Sequence, residues 1–459
     1  MQTQQGKLSS LRQRLDECQS AGDLMRLATQ QTFDRCAFAL LCFLTFIPVL
    51  IIPFYLFTDN ANFMLTSANE PAFSNISMNI SVQFFAMFDI AGNLSLILLV
   101  LYLIHEAVLR RPLNLKMQPW LIALIGVLIF SVIATLAAFD VGFAWRGSSY
   151  RHDGLYTYLH IAGAFGCAFM LKSKALKLCL LKLFCLSVSI TCSISFFQLF
   201  EVQLILEKFT SSRASVFYQF NHFAYFLVMG ITVSLLLMLL DTSKKTRIIA
   251  GVLAAIQIFT LANNNTFGGF LAVLAVSIFL PFFLTSVKKK FSVTYLLPVV
   301  MVLAITFASS LGSFLVNIEQ LYRDSDNLTD NSGSGRWIMW KTAFWAITER
   351  PIIGYGPEGV AWVFESHGLT NDRPHNEVLQ YAASIGIPGL ICYLSALILL
   401  FRRFWQRRKY SDPVLLTAAC VVIAYFVSSL VGNTMYYTTP FFFMFLGLVA
   451  GDPQIKTSS

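Results

Sequence analysis

His375 stands in "NDRPHNEVLQYAASIGIPGL" (371–390), where Arg373, His375 and Glu377 lead into an apolar run that continues to Phe401. An imidazole, with an ordinary pKa near 6.5, can take a proton from a hydroxyl at neutral pH. A histidine at a helix start can equally be a plain structural end, and the local sequence leaves both readings open. Its company is cationic. Arg213 lies in "SSRASVFYQFNHFAYFL", just ahead of another apolar run, and Arg336 opens "RWIMWKTAFWAITE". Arginine binds phosphate oxygens two at a time, and helix N-termini attract anions, so a base beside such cations suits transfer chemistry on a phosphate-linked group. Each arginine also reads as a loop or snorkelling charge, and so do Arg323, Lys341 and Arg373.

Other polar features are weaker. Asp324 and Asp326 in "RDSDN" have the spacing of a metal–nucleotide site, but an acidic Asn/Ser-rich loop gives the same tripeptide as solvated surface. Asp89 is an acid inside an apolar stretch, a position that serves either function or a buried hydrogen bond to a neighbouring helix. In "NNNTFGG" (263–269), Gly268 and Gly269 are expected to mark close helix packing. The sequence has no His/Cys metal cluster, Gly-rich nucleotide loop or Ser-His-Asp signature, so neither a metal nor a cofactor is expected.

The elements that would position these residues are membrane helices. Hydrophobic residues make up 56% of the chain and charged residues 12%, against about 25% charged in soluble domains, and the mean hydropathy is +0.66. Apolar stretches of about 17–25 residues, enough to cross about 30 Å of hydrocarbon, are read at 36–57, 82–104, 120–139, 155–171, 178–200, 217–240, 248–262, 268–286, 292–316, 378–401, 413–433 and 438–450. The stretches at 155–171, 248–262 and 438–450 are short enough to be tilted or re-entrant. The expected fold is an all-α integral membrane bundle of about 12 transmembrane helices. Residues 1–35 are polar, which leaves the first span as the insertion signal. All nine cysteines except Cys18 fall in apolar runs, so disulfides are not expected.

Every second connection is basic: "RRPLNLK" (110–116), "KSKALK" (172–177), "DTSKKTR" (241–247), "VKKK" (287–290) and "RRFWQRRK" (402–409). Basic short loops stay cytoplasmic. This puts both termini inside and accounts for the net charge of +9 through topology and anionic lipid rather than nucleic acid. The chain then divides into a cytoplasmic segment at 1–35, spans one to nine at 36–316, a long extracytoplasmic loop at 317–377, spans ten to twelve at 378–450 and a cytoplasmic tail at 451–459. In the long loop, "NSGSGRWIMWKTAFWAITERP" predicts a helix capped by Ser334 or Gly335 and stopped by Pro351. Its Trp337, Trp340 and Trp345 suit the membrane interface.

"SGRWIMWKTAFWAITERPIIGYGPEGV" followed by "RPHNEVLQYAASIGIPGLICYLSALILLF" resembles the conserved domain of the O-antigen ligase and O-antigen polymerase superfamily. There an Arg-led helix, a "drP-x-x-G-x-G" turn and "H-N-x-x-L" leading to "G-x-x-G-L" occur in this order. "RASVFYQFNHFAYFL" is similar to an upstream element of the same family, and the likeness spans roughly 210–450. The resemblance implies a C-type membrane glycosyltransferase of the bacterial inner membrane, with its long loop over a lateral cavity on the extracytoplasmic face. Such an enzyme moves a glycan from an undecaprenyl diphosphate carrier to an acceptor hydroxyl, lipid-linked or glycan, with inversion and without metal. It implies His375 as general base or acceptor-orienting residue, and Arg336 and Arg213 on the diphosphate. Arg373, Asn376, Glu377, Lys341, Arg323, Asn221 and Tyr355 complete the implied substrate-contacting set. Many members have a Ser-Arg pair where this chain has Thr266-Phe267, and Arg323, Lys341 or Arg373 are the cations available to replace it. Ligase and polymerase differ only in acceptor, and a flippase or chain-length regulator is the kind of partner implied. A secondary transporter is the rival reading, but no internal repeat supports it.

Overall fold

The structure, a computed structural model, describes residues 18, 20–57, 79–109, 118–148, 151–199, 203–204, 207–208, 214–217, 219–288, 290–306, 335–369, 371–408, 412–432 and 436–451. The helices are α1 (Ala21–Leu27), α2 (Gln30–Leu50), α3 (Ile52–Phe57), α4 (Asn79–Val108), α5 (Pro119–Leu136), α6 (Val141–Arg146), α7 (Leu155–Met170), α8 (Lys174–Leu199), α9 (Phe220–Leu240), α10 (Lys244–Asn264), α11 (Phe267–Lys288), α12 (Val293–Thr306), α13 (Arg336–Glu349), α14 (Val360–Ser366), α15 (Glu377–Arg407), α16 (Pro413–Ser429) and α17 (Thr439–Ala450). A two-residue ladder pairs Gln203–Leu204 with Glu207–Lys208. The protein is therefore all-α in its architecture.

Each of the twelve expected apolar segments carries a helix. Among the described residues eight helices are long and apolar enough to cross a membrane, and four shorter apolar ones accompany them. Several lengths differ from expectation, among them Asn79–Val108 for 82–104 and Gln30–Leu50 followed by Ile52–Phe57 for 36–57, and two others show local causes. The 248–262 stretch is not a short piece, because Ser243 caps a helix that starts at Lys244, with its hydroxyl accepting from Thr246 N, and the polar first turn "KKTR" adds length. Residues 413–433 shorten to α16, which ends at Ser429.

On α4, Ile90, Leu94, Ile97, Leu101 and Ile104 are each more than a third exposed at spacings of three and four. α5 repeats the pattern with Ile122, Ile125, Ile129, Val132 and Leu136. Continuous apolar stripes of this length are not tolerated in water, and the lipid chains of a bilayer cover them. This is a multi-pass membrane protein. α9 is the central post, with 89% of its apolar window buried, and it packs against α10, α16 and α8. α15 lies along α5, and α17 along α7. The paired glycines behave as expected: a Cβ on Gly268 would meet Val431 at 2.6 Å, and one on Gly269 would meet Leu261 at 3.0 Å.

The run expected as a single span at 378–401 is broken. Gly386 has φ 77° and ψ 167°, so α15 is two helical pieces joined at a kink. Pro388 has no N–H for the carbonyl of Ser384, and Ile387 turns its N–H to Pro351 O at 2.7 Å. The freed carbonyls of Ala383 and Ser384 accept instead from Tyr355 N at 2.9 Å and Gly356 N at 2.8 Å. "RPIIGYG" thus docks edge-on into the break made by "SIGIPG". Only glycine fits at position 386, since a Cβ there would lie 2.1 Å from Ile352 O. Above the break, α13, α14 and the start of α15 share a small core of Met339, Ala343, Ala346, Val363, Phe364 and Ala383. Gly335, at φ 77°, is the N-cap of α13, with no side-chain cap.

Candidate active site

His375 is held from both sides. Trp340 on α13 donates its indole N–H to Pro374 O at 2.9 Å. Asn376 caps α15, its Oδ1 accepting from Leu379 N at 3.1 Å while its Nδ2 donates to Leu430 O at 2.9 Å. Between these anchors His375 has φ 51°, a left-handed conformation costly for a residue with a Cβ. Such strain persists only where the surroundings overdetermine it, and here two helices do so.

Beneath the histidine lies a buried cluster of two guanidiniums and three carboxylates. Arg151 makes a bidentate pair with Asp372. Arg373, only 2% exposed, donates to Asp153 Oδ2 at 2.8 Å and lies 3.8 Å from Glu358 Oε1. Glu358 also accepts from the backbone N–H groups of Ser148 at 2.9 Å and Asp153 at 3.0 Å. Burial raises the Asp153 carboxyl, with Arg373 working against the rise. Burial also acts on Asp372, yet Arg151 and Arg373 together hold its carboxyl below the ordinary carboxylate range. The cluster ties the loop between α6 and α7 to the segment that ends in His375. A cavity of about 780 Å³, lined in part by Thr135, Asp140, Phe143, Trp145 and Arg146, borders it through Gly147.

Arg336, half-buried at the start of α13, has no carboxylate partner among the described residues, and burial sets itself against its charge. Burial and then the nearby Arg151 cation push the His375 imidazole down to about 4, with Arg336 and Arg373 adding to the effect and Asp372 opposing it. His375 is therefore neutral at pH 7. In the unfolded chain it takes up a proton near 6.5, which the folded site refuses until about 4. The stability it contributes is present above about pH 6.5 and drains as the pH falls toward 4. His375→Gln should show a smaller drop in melting temperature than wild type between pH 7 and pH 5 in the same detergent.

The O-Antigen ligase family model matches residues 249–394, the segment that holds α13, the docked turn and His375. Over this segment the chain is similar to the O-antigen ligase family. It is also similar to a protein named O-antigen ligase from Pseudomonas aeruginosa, 30% identical over 106 residues, which are 23% of this chain. The match spans about a quarter of that relative's length, 26%.

Of the residues expected at an O-antigen ligase site, Arg336 lies near enough to His375 for its charge to act on the imidazole. Arg213 and Arg323 lie outside the described residues, as do Asp324 and Asp326. Arg373 was expected to touch substrate and is instead enclosed in the ion cluster, because three acids surround it. Asn376 has both polar atoms committed to scaffold bonds. Glu377 is buried, with Oε1 accepting from Tyr393 at 2.5 Å. Lys341 is exposed over the Trp337 ring. Tyr355 lies under the Arg350 guanidinium at 4.7 Å, and Asn221 is half-buried in the first turn of α9. Thr266, where many members have the Ser-Arg pair, bonds to Asn264.

Sequence reading missed Arg151, Asp153, Glu358 and Asp372. The triplet "RHD" (151–153), with charges of both signs in a loop of otherwise single charges, was the available signal. Nothing in the sequence links it to residues 372 and 373, which lie 221 and 220 positions away from their partners.

Proposed function

We propose that the protein transfers a glycan from an undecaprenyl diphosphate carrier to an acceptor hydroxyl at the outer face of the bacterial inner membrane, as a ligase in cell-surface polysaccharide assembly. The family match over residues 249–394 supports the general role of glycosyl transfer. The observation that carries the reading is Arg336, a half-buried cation without a carboxylate partner among the described residues, at a helix N-terminus beside a neutral imidazole. The other two cations near His375, Arg151 and Arg373, are paired to acids.

The chemistry follows from these positions. A diphosphate departs with a growing negative charge, and a fixed, poorly hydrated guanidinium at a helix N-terminus stabilises that charge where water is excluded. Arg213 is the second cation of this reading. Neutral His375 acts on the incoming hydroxyl either as base, through its unprotonated ring nitrogen, or as aligner, by donating its ring N–H to the oxygen, and attack opposite the departing diphosphate inverts the anomeric centre. Guanidinium charge takes the part that a metal takes in other transferases. Transfer by the purified protein, read as release of undecaprenyl diphosphate, should therefore persist in excess EDTA. Arg336→Lys, which keeps the charge but loses the fork, should weaken both donor binding and rate. Loss of transfer in EDTA that Mg²⁺ restores would sink the metal-independent mechanism.

The ligase form is preferred over polymerase because the matched family model and the relative both carry that name. The alternating basic loops support cytoplasmic termini and an extracytoplasmic 317–377 segment. Alkaline phosphatase fused after Asp330 should be active and after Lys409 inactive, and the reverse pattern would overturn the topology.

A further inference from the structure

An acid inside a span is costly unless its charge is used, and Asp89 on α4 is surrounded by partners. Tyr436 donates its hydroxyl to Oδ1 at 3.0 Å, His152 Nε2 lies 3.3 Å from Oδ2, and His160 Nδ1 lies 3.4 Å from Oδ1. Behind them His160 Nε2 reaches Asn93 Oδ1 at 3.2 Å, and Asn93 Nδ2 donates to Tyr156 at 2.8 Å. Exposure is graded across this network. The His160 side chain is 2% exposed, whereas His152 is 20% and Asp89 27% exposed. The inner members support, and the outer pair, Asp89 and His152, is open.

His152, like His375, has a strained backbone and a held position. Its φ is 56°, and its ring stacks on Phe85, at 4.6 Å and 13°, and beside Tyr436, at 5.5 Å and 19°, the three centroids forming a triangle with Phe85 and Tyr436 5.9 Å apart. With Nε2 turned to the carboxylate, Nδ1 is left to carry the lone pair. A carboxylate that fixes an imidazole's tautomer, and then stabilises the imidazolium, is the arrangement by which enzymes draw a proton from a hydroxyl. The position fits this use. Arg151 grips Asp372 and Asp153 grips Arg373, so the two neighbours of His152 fasten it to the segment that carries His375.

We propose that His152, oriented by Asp89, takes the proton of the acceptor hydroxyl while His375 aligns that hydroxyl; this rests on the glycosyl-transfer reading above. The acceptor O–H bond breaks and its proton goes to His152 Nδ1. The oxygen bonds to the anomeric carbon as the carbon–oxygen bond to the diphosphate breaks, and that electron pair leaves on the diphosphate. The imidazolium then returns its proton to water.

The test uses the full chain in lipid nanodiscs, undecaprenyl-diphosphate-linked glycan extracted from the source cells, and released undecaprenyl diphosphate as readout. His152→Ala should lose about 10²–10⁴ in kcat, with donor KM near wild type, and added imidazole should restore part of the rate. Asp89→Asn should also lose rate, with no restoration by imidazole. A wild-type rate in His152→Ala overturns the proposal, and so does a loss that imidazole leaves unchanged in a variant that elutes and melts like wild type. If His152→Ala fails to fold, His152→Gln and Asp89→Asn decide by the same measure, a wild-type rate in either overturning it. An inactive wild type removes the transfer reading along with the proposal. An active wild type indifferent to His152 leaves the transfer reading standing and removes only the proposal.

Discussion

His375→Ala lowers glycan transfer by about 10²–10⁴ while the affinity for the diphosphate donor stays close to wild type. The expectation rests on where the histidine sits. Trp340 and Asn376 fix its backbone on either side, and in the proposed reaction its neutral ring holds the incoming hydroxyl beside Arg336. Removing the ring leaves the donor's phosphates with their cation but the hydroxyl with no partner. Misalignment of one reacting group by about 1 Å costs on the order of 10² in rate. Turnover and donor binding, measured separately, check this, with His367→Ala as the control. His367 lies in the same region, against Trp345 at 4.6 Å. Transfer near the wild-type rate at equal expression would reduce His375 to a helix-start residue.

Arg373→Ala is expected to destabilise the fold by about 3–5 kcal/mol, the usual result of removing one partner from a buried ion pair. Arg373 is the cation for Asp153 and stands beside Glu358 and Asp372, so its loss leaves uncompensated negative charge away from water. The cost comes from those orphaned acids more than from the lost attraction. The double variant Arg373→Ala/Asp153→Ala should therefore recover part of the stability. Denaturant unfolding of the purified protein, followed for the single and double variants, distinguishes the cases. An Arg373→Ala protein with a wild-type midpoint would show that the cluster contributes nothing to stability.

The bundle was legible in the sequence because hydrocarbon imposes one rule along the whole chain, and apolar runs of sufficient length announce themselves. The break in α15 was less so. Gly386 and Pro388 were in plain view, but a glycine and a proline in an apolar run also suit an unbroken span. What decides is the pair of carbonyls they release and the turn some thirty residues earlier that satisfies them. His375 and Arg336 could be picked out as candidates because each stands at or just before a helix start, and helix starts have local signals. Arg373 looked like a third substrate cation because its acidic partners, Asp153 and Glu358, come from other elements. Sequence distance hides such pairing, and no local pattern distinguishes a cation that faces a substrate from one that faces a buried acid. Asp89 stood out as an intramembrane acid, while its partners on α7 and beside α17 did not.

The docking of "RPIIGYG" into the broken helix also bears on how the proposed substrate could reach the site. Three backbone hydrogen bonds join the turn to α15, at Ala383, Ser384 and Pro351, and Ala383 and Ser384 are buried. Lifting the turn away would leave two carbonyls and an amide without partners in apolar surroundings, at a cost of several kcal/mol. This turn is therefore fixed rather than hinged, and in the proposed reaction a lipid-borne donor would have to enter beside it, sideways from the bilayer, rather than by lifting it.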